Sequence, residues 1–125
     1  MNWKAPDTLV LPVVHGILFL GAHLGFKELK EAGLIKRVPK FVGIQSAACA
    51  PLALAFQKKT GGILTVREEE IDKAARAMGR RGHFIEPTIA ATTTGLKKYL
   101  RKKGRRESVI STLAGLGLKS IGKVL

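Results

Sequence analysis

Cysteine is almost missing from this chain. Cys49 stands alone, which excludes an internal disulfide and any metal centre built on several thiolates. A reducing, cytoplasmic compartment fits that usage. Aromatic residues make up only 6% of the sequence, so the core has to come mainly from Leu, Ile, Val and Ala. Acidic residues are scarce as well: nine Asp and Glu against 22 Lys and Arg leave a net charge of +13. Such an imbalance favours solubility and attracts polyanions, without by itself naming a nucleic-acid binder. Long apolar runs are also lacking. The most apolar stretch, Thr8 to Gly25, is interrupted by Pro12, His15 and Gly16 and falls short of the ~20 residues of a membrane span. No basic start and small-residue cleavage site frame it as a signal peptide. The three histidines are scattered, which does not suit a zinc site.

What is present is an alternation of apolar runs and helical patterns. With 125 residues, 46% of them hydrophobic, the chain makes one domain or part of one, residues 1–125. Leu9 to Val14 is a continuous apolar run of strand length, as in sheets buried on both faces. Leu18 to Ala32 reads as a helix with Leu18, Ala22, Phe26 and Leu29 on one face, stopped by Gly33. Lys40 to Gln45 gives a second strand. Pro51 opens a short helix to Phe56, and Gly61-Gly62 marks a turn. Ile63 to Val66 is a third strand. Glu68 to Met78 is a helix whose acidic start and Arg80-Arg81 end complement its dipole. Phe84-Ile85 is a minimal strand or bridge, Pro87 to Lys103 a helix, and Val109 to Leu113 a last strand. This order predicts an α/β fold, a parallel sheet flanked by helices on both faces.

The segment Pro12 to Leu29 is a strand, a sharp turn at Gly16 and a helix. Such a unit exposes backbone N–H groups to an anion at the start of a helix. The turn itself offers Val14, His15, Gly16 and Ile17, with neither the extra glycines nor the hydroxyl usual in a phosphate turn. His15 could bond an anion there, although a surface or capping histidine is the plainer reading. Cys49 precedes a helix, where a thiolate would be stabilised; a buried structural thiol is the plainer reading. The Glu68-Glu69-Glu70 triplet reads as a helix start. The run Lys97, Lys98, Arg101, Lys102, Lys103, Arg105 and Arg106 is either a solvated helix end or a grip on nucleic-acid phosphates. Tyr99 is its only aromatic, so base stacking is poorly supplied.

Several stretches, taken in order, carry a resemblance. They are Trp3-Lys4-Ala5-Pro6-Asp7 with Pro12-Val13; Gly21-Ala22 with Gly25-Phe26-Lys27-Glu28-Leu29; and Gly33-Leu34-Ile35. Next come Gly43-Ile44-Gln45 with Cys49-Ala50-Pro51-Leu52, and Thr60-Gly61-Gly62 with Glu69-Glu70-Ile71. Phe84-Ile85-Glu86-Pro87 and Gly115-Leu116-Gly117-Leu118-Lys119 complete the series. Across nearly its whole length the chain resembles the C-terminal portion of threonine synthase and related fold-type-II pyridoxal-phosphate (PLP) enzymes, the tryptophan-synthase-β-like superfamily.

That resemblance implies part of the large domain of such an enzyme, whose parent reaction converts O-phosphohomoserine to threonine and phosphate. It implies that Val14, His15, Gly16 and Ile17 are the counterpart of the glycine loop that holds the PLP phosphate. It implies that Ala114 stands where the family has the Thr or Ser beside the pyridine nitrogen. Both counterparts depart from the family pattern. A family stretch between the Cys-Ala-Pro helix and the next strand has no counterpart here, and the family's Schiff-base lysine belongs to an N-terminal half outside this sequence. The expectation is a lyase-like fragment, inactive alone, that is a remnant or one half of a split enzyme. Its apolar sheet surface would be left uncovered, predicting self-association or a partner chain. A basic module that binds nucleic acid or another polyanion is the alternative.

Overall fold

The computed structural model describes residues 4–51, 53, 62–103, 106–115 and 117. Its elements are β1 (Thr8–Pro12), α1 (Ile17–Glu31), β2 (Lys40–Ser46), β3 (Ile63–Val66), α2 (Glu68–Gly79), α3 (Pro87–Lys103) and β4 (Val109–Ser111). The four strands form one sheet in the order β3-β2-β1-β4. Every pairing is parallel, with Thr8 level with both Lys40 and Val109. The expected α/β architecture is therefore present. The turn at Gly16 is sharp because Gly16 takes a left-handed φ of 79°, a conformation open to glycine at little cost. The proposed helix after Pro51 and the turn at Gly61 lie largely outside the described residues.

The sheet order dictates where the helices sit. β1 to β2 and β3 to β4 step in opposite directions across the sheet, so right-handed crossovers place their helices on opposite faces. Side chains alternate accordingly. Val10, Val42, Ile44 and Val66 meet Ile71 and Ala74 of α2 and Ile89, Ala90, Ala91 and Tyr99 of α3, forming the main core. As the composition requires, this core is nearly all aliphatic. On the other face Phe41 receives α1 through Phe19, His23 and Phe26, with ring centroids 5.3, 5.5 and 6.2 Å away. The inward edge of α1 is thus Phe19, His23 and Phe26. The expected face is corrected at its start: Leu18 is 41% exposed, because Phe41 draws the helix round towards its aromatic side.

Two close approaches fix the layers. A Cβ on Gly95 would lie 2.3 Å from Ile44 Cδ1 and 2.8 Å from its Cγ2, so α3 rests directly on β2. A Cβ on Gly43 would lie 2.6 Å from Val13 Cγ2, and this lets Val13 continue the ladder by donating to the Ile44 carbonyl at 2.9 Å. At the amino ends of the strands, Tyr99 Oη donates to Glu107 Oε2 at 2.6 Å and lies 3.1 Å from Thr8 Oγ1. Burial, reinforced by the Glu107 carboxylate, pushes the Tyr99 phenol up. Asp7 accepts from the Ser108 N–H at 2.7 Å and pairs with Arg37; that backbone bond, with the guanidinium, holds its carboxyl below the usual range.

The acidic triplet starts α2 as expected, and Glu70 does more. It accepts from the Arg67 N–H at 3.0 Å, the returning half of a capping box. It also accepts from Lys98 Nζ at 2.7 Å, tying α2 to α3. The Lys98 bond, and then the Arg67 bond, lower its pKa to about 2.

Two stability experiments test this packing. Gly95→Ala forces a methyl into Ile44 and should destabilise the fold by about 1–3 kcal/mol. Gly21→Ala, on α1 with nothing within 4 Å of the new atom, should stabilise it by about 0.5–1 kcal/mol. Urea denaturation reads both, and the reverse order of the two variants would contradict the layer contact. For Glu70 the folded pKa is depressed, so its contribution is complete above the unfolded carboxyl value and is lost as pH falls towards about 2. Glu70→Gln should therefore melt below the parent at neutral pH, with the gap closing under acid. A gap that stays constant down to that acid limit would count against the Lys98 link.

Candidate functional site

An open parallel sheet binds ligands where the strand order reverses, in the crevice beyond the carboxyl ends of the two diverging strands. In the order β3-β2-β1-β4 that point lies between β1 and β4. Val10 of β1 is level with Ser111 of β4, so Val13 to Gly16 and Thr112 to Ala114 leave the sheet from neighbouring strands at the same end. The two groups of residues singled out in the sequence, Val14 to Ile17 and Ala114, therefore converge on one crevice although about a hundred positions separate them. α1 begins there, bringing the N–H groups of its first turn.

The loop after β1 is held by Gln45, which the sequence marks only as the end of the Gly43-Ile44-Gln45 stretch and not as an anchor. Gln45 is buried. It donates from Nε2 to the Val13 carbonyl at 3.1 Å and accepts from the Ala53 N–H at 3.0 Å. An amide at the end of the apolar run Phe41 to Ile44 was the available signal, because a buried polar side chain has to be satisfied. Beyond this anchor the loop opens to solvent. Val14 is 59% exposed and Ile17 78%. His15 is exposed and has no hydrogen-bond or ring partner among the described residues, in keeping with a surface histidine. Cys49 is exposed too, which corrects the expectation of a buried thiol. It follows β2 in a turn, where the chain has already left the sheet.

On the β4 side, Ala114 is exposed and carries no donor. Two residues earlier, Thr112 Oγ1 is buried with no hydrogen-bond partner among the described residues. Gly115 lies against Glu86, whose Oε1 would sit 2.2 Å from a Cβ there. Gly117 donates its N–H to the Phe84 carbonyl at 2.9 Å, and a Cβ on it would lie 2.8 Å from the Phe84 ring. The closing Gly-rich motif thus joins the segment leading into α3 through contacts that side chains would block. Glu86 stands in the motif Phe84-Ile85-Glu86-Pro87 that carries part of the resemblance, whereas nothing in the sequence marks Thr112. A Thr near a strand end and a Glu before a helix proline are common, and only the fold sets them beside Ala114.

These residues do not fit PLP. Holding that cofactor takes a cradle for its phosphate and a partner for its ring nitrogen. On the correspondence that the resemblance implies, the loop presents the branched hydrocarbon of Val14 and Ile17 to the phosphate, and Ala114 supplies nothing to the ring nitrogen. What the loop offers an anion is the N–H groups of the first turn of α1, and nothing more. Among the described residues no cluster of His, Cys, Asp or Glu could hold a metal ion, and no helix is long and apolar enough to cross a membrane.

Thr112 gives a direct check on the crevice. A buried hydroxyl without a partner costs stability, and replacing it by a methyl of the same shape removes that cost. Thr112→Val should leave the urea midpoint unchanged or raise stability by up to about 1 kcal/mol. A clear loss would mean that the hydroxyl is satisfied in solution.

No protein-family model matches the chain. Curated relatives do. Threonine synthase of Methanocaldococcus jannaschii is 28% identical over 157 residues, covering 95% of this chain and 39% of the relative. Threonine synthase of Mycobacterium tuberculosis is 30% identical over 145 residues, covering 92% and 40%. That of Synechocystis is 29% identical over 144 residues, covering 93% and 38%. The chain thus spans about two fifths of the length of these relatives, consistent with correspondence to a C-terminal portion. The 157 aligned positions also exceed the 125 residues present here, so the relative carries segments with no counterpart in this chain. Across nearly its whole length this chain is a homologue of threonine synthases, matching a part of them and not the whole.

Proposed function

We propose that this chain keeps the framework of a threonine-synthase-like lyase fragment and is catalytically silent by itself. The relatives imply PLP dependence for the family, and the parent reaction would release phosphate from O-phosphohomoserine to give threonine. The observation that carries the reading is the exposure of Val14 and Ile17 in the switch-point loop. Branched hydrocarbon stands open to water at the place where an anion has to be gripped. A Schiff-base lysine, a phosphate cradle and a ring-nitrogen partner are joint requirements, and loss of the second and third is enough to silence the chemistry.

The same region supports association. No residue of α1 is buried, although the helix carries Ile17, Leu20 and Leu24, exposed at 78%, 59% and 47%. Ala22, Phe26, Leu29 and Ala32 line an open groove of about 500 Å³ on the helix. Glu28 also lines that groove, and apolar side chains left in water on two sides of one helix favour an interaction surface. In this reading it is covered by a second copy or by a chain supplying the remaining portion of a threonine-synthase-like unit. A reducing cytoplasmic setting, where a lone exposed thiol such as Cys49 persists, agrees with it.

The test is spectroscopic and hydrodynamic. Purified chain mixed with PLP should show no aldimine absorbance beyond that of free lysine controls, and it should elute from gel filtration larger than a monomer. A stoichiometric aldimine band would refute catalytic silence. A compact monomer with little dye-accessible apolar surface would refute the association.

A further inference from the structure

Charge is sorted along the strand direction. Glu68, Glu69 and Glu70 follow the carboxyl end of β3, and Glu86 lies against the segment after β4. The amino ends of the strands collect bases. Lys40 opens β2, Lys4 leads into β1 and Arg106 leads into β4. Lys36 comes from the loop before β2, and Arg101 and Lys102 from the last turn of α3. The Tyr99 hydroxyl pins that part of α3 to Thr8 at this end, and Lys40 Nζ lies 5.9 Å from the Tyr99 ring centroid. All six of these cations are exposed. The acids nearby are committed: Asp7 to Ser108 and Arg37, Glu107 to Tyr99 and Thr8, and Glu31 to Lys27 at 3.7 Å.

We propose that this end of the sheet binds the phosphate backbone of nucleic acid, without reading bases, through Lys4, Lys36, Lys40, Arg101, Lys102 and Arg106. The row formed by Lys40, Lys4 and Arg106 follows three adjacent strands, β2, β1 and β4. At roughly 5 Å per strand it covers about 10 Å before any side chain extends, which suits a linear polyanion. The surface is not the contiguous run of basic residues seen in the sequence. Lys98 leaves that run, turning to Glu70 Oε2 and the Thr65 carbonyl, while Lys4, Lys36 and Lys40 join from elsewhere. Among the described residues, the ring nearest these cations is Tyr99, which is buried beneath Lys40 and offers no open face for a base to stack on. The surface lies at the opposite end of the strands from the switch-point crevice and does not depend on the reading given to that crevice.

Fluorescence anisotropy with a labelled duplex of about 20 base pairs tests this. With four phosphate contacts, raising salt from 50 to 200 mM should weaken binding about 100-fold, equally for unrelated sequences. Lys36→Glu/Lys102→Glu/Arg106→Glu should weaken low-salt binding at least tenfold. Lys73→Glu/Arg76→Glu/Arg80→Glu, on exposed positions of α2 with the same change in net charge, should cost less than threefold. If the first variant does not fold by circular dichroism, Lys36→Gln and Lys102→Gln should each reduce the salt slope by about 1. No binding at low salt, equal losses in the two triple variants, or tighter capture by phosphatidylserine vesicles than by the duplex would overturn the proposal.

Discussion

The contact between Gly95 and Ile44 governs the molecule. α3 crosses all four strands, and it can do so only because the residue above Ile44 has no side chain. With that distance set, Ile89, Ala90 and Ala91 reach the sheet and α2, Lys98 reaches Glu70, and Tyr99 reaches Thr8 and Glu107. One helix thus carries most of the tertiary connections. Among the described residues, the opposite face meets α1 through Phe41, and α1 leaves Ile17, Leu20 and Leu24 in water.

Much of this was legible before any coordinates. Apolar runs of strand length, separated by helical patterns, specify a parallel α/β sheet, because strands buried on both faces show no alternation. Glycines and charged ends marked the helix limits well: α1, α2 and α3 begin or end within a residue or two of the expected places. Less legible was anything decided by a neighbour distant in sequence. The inward side of α1 follows from Phe41, not from the helix's own periodicity, since apolar residues occur all round it. Cys49 looked buried from residue type alone, while its exposure follows from where β2 stops.

The candidate site divides in the same way. Val14 to Ile17 announce themselves through local chain chemistry, a strand, a left-handed glycine and a helix start. Ala114 is featureless as a residue and was identified only by resemblance. Gln45, Thr112 and Glu86 matter through contacts that cross the fold, between Gln45 and Val13, or between Glu86 and Gly115. No window of sequence contains both partners of such a contact. Strand order is the missing information, because a reversal of order between β1 and β4 turns two remote segments into one crevice.

Site and scaffold are also energetically separate. The contacts that hold the layers, Gly95 on Ile44, Tyr99 with Glu107, Asp7 with Ser108, sit in the middle of the sheet or at its amino end. The switch-point loop sits at the carboxyl end and contributes little burial, with Val14 and Ile17 mostly in solvent. Substitutions in such a loop change what can be bound without touching the core, and surface changes away from packed features usually cost little. Gly43 and Gly95 are under a different constraint, since a Cβ at either collides with the packed side chain of Val13 or Ile44. The proposed loss of cofactor chemistry would therefore leave the core standing, because Val14 and Ile17 add little to the burial that holds the sheet.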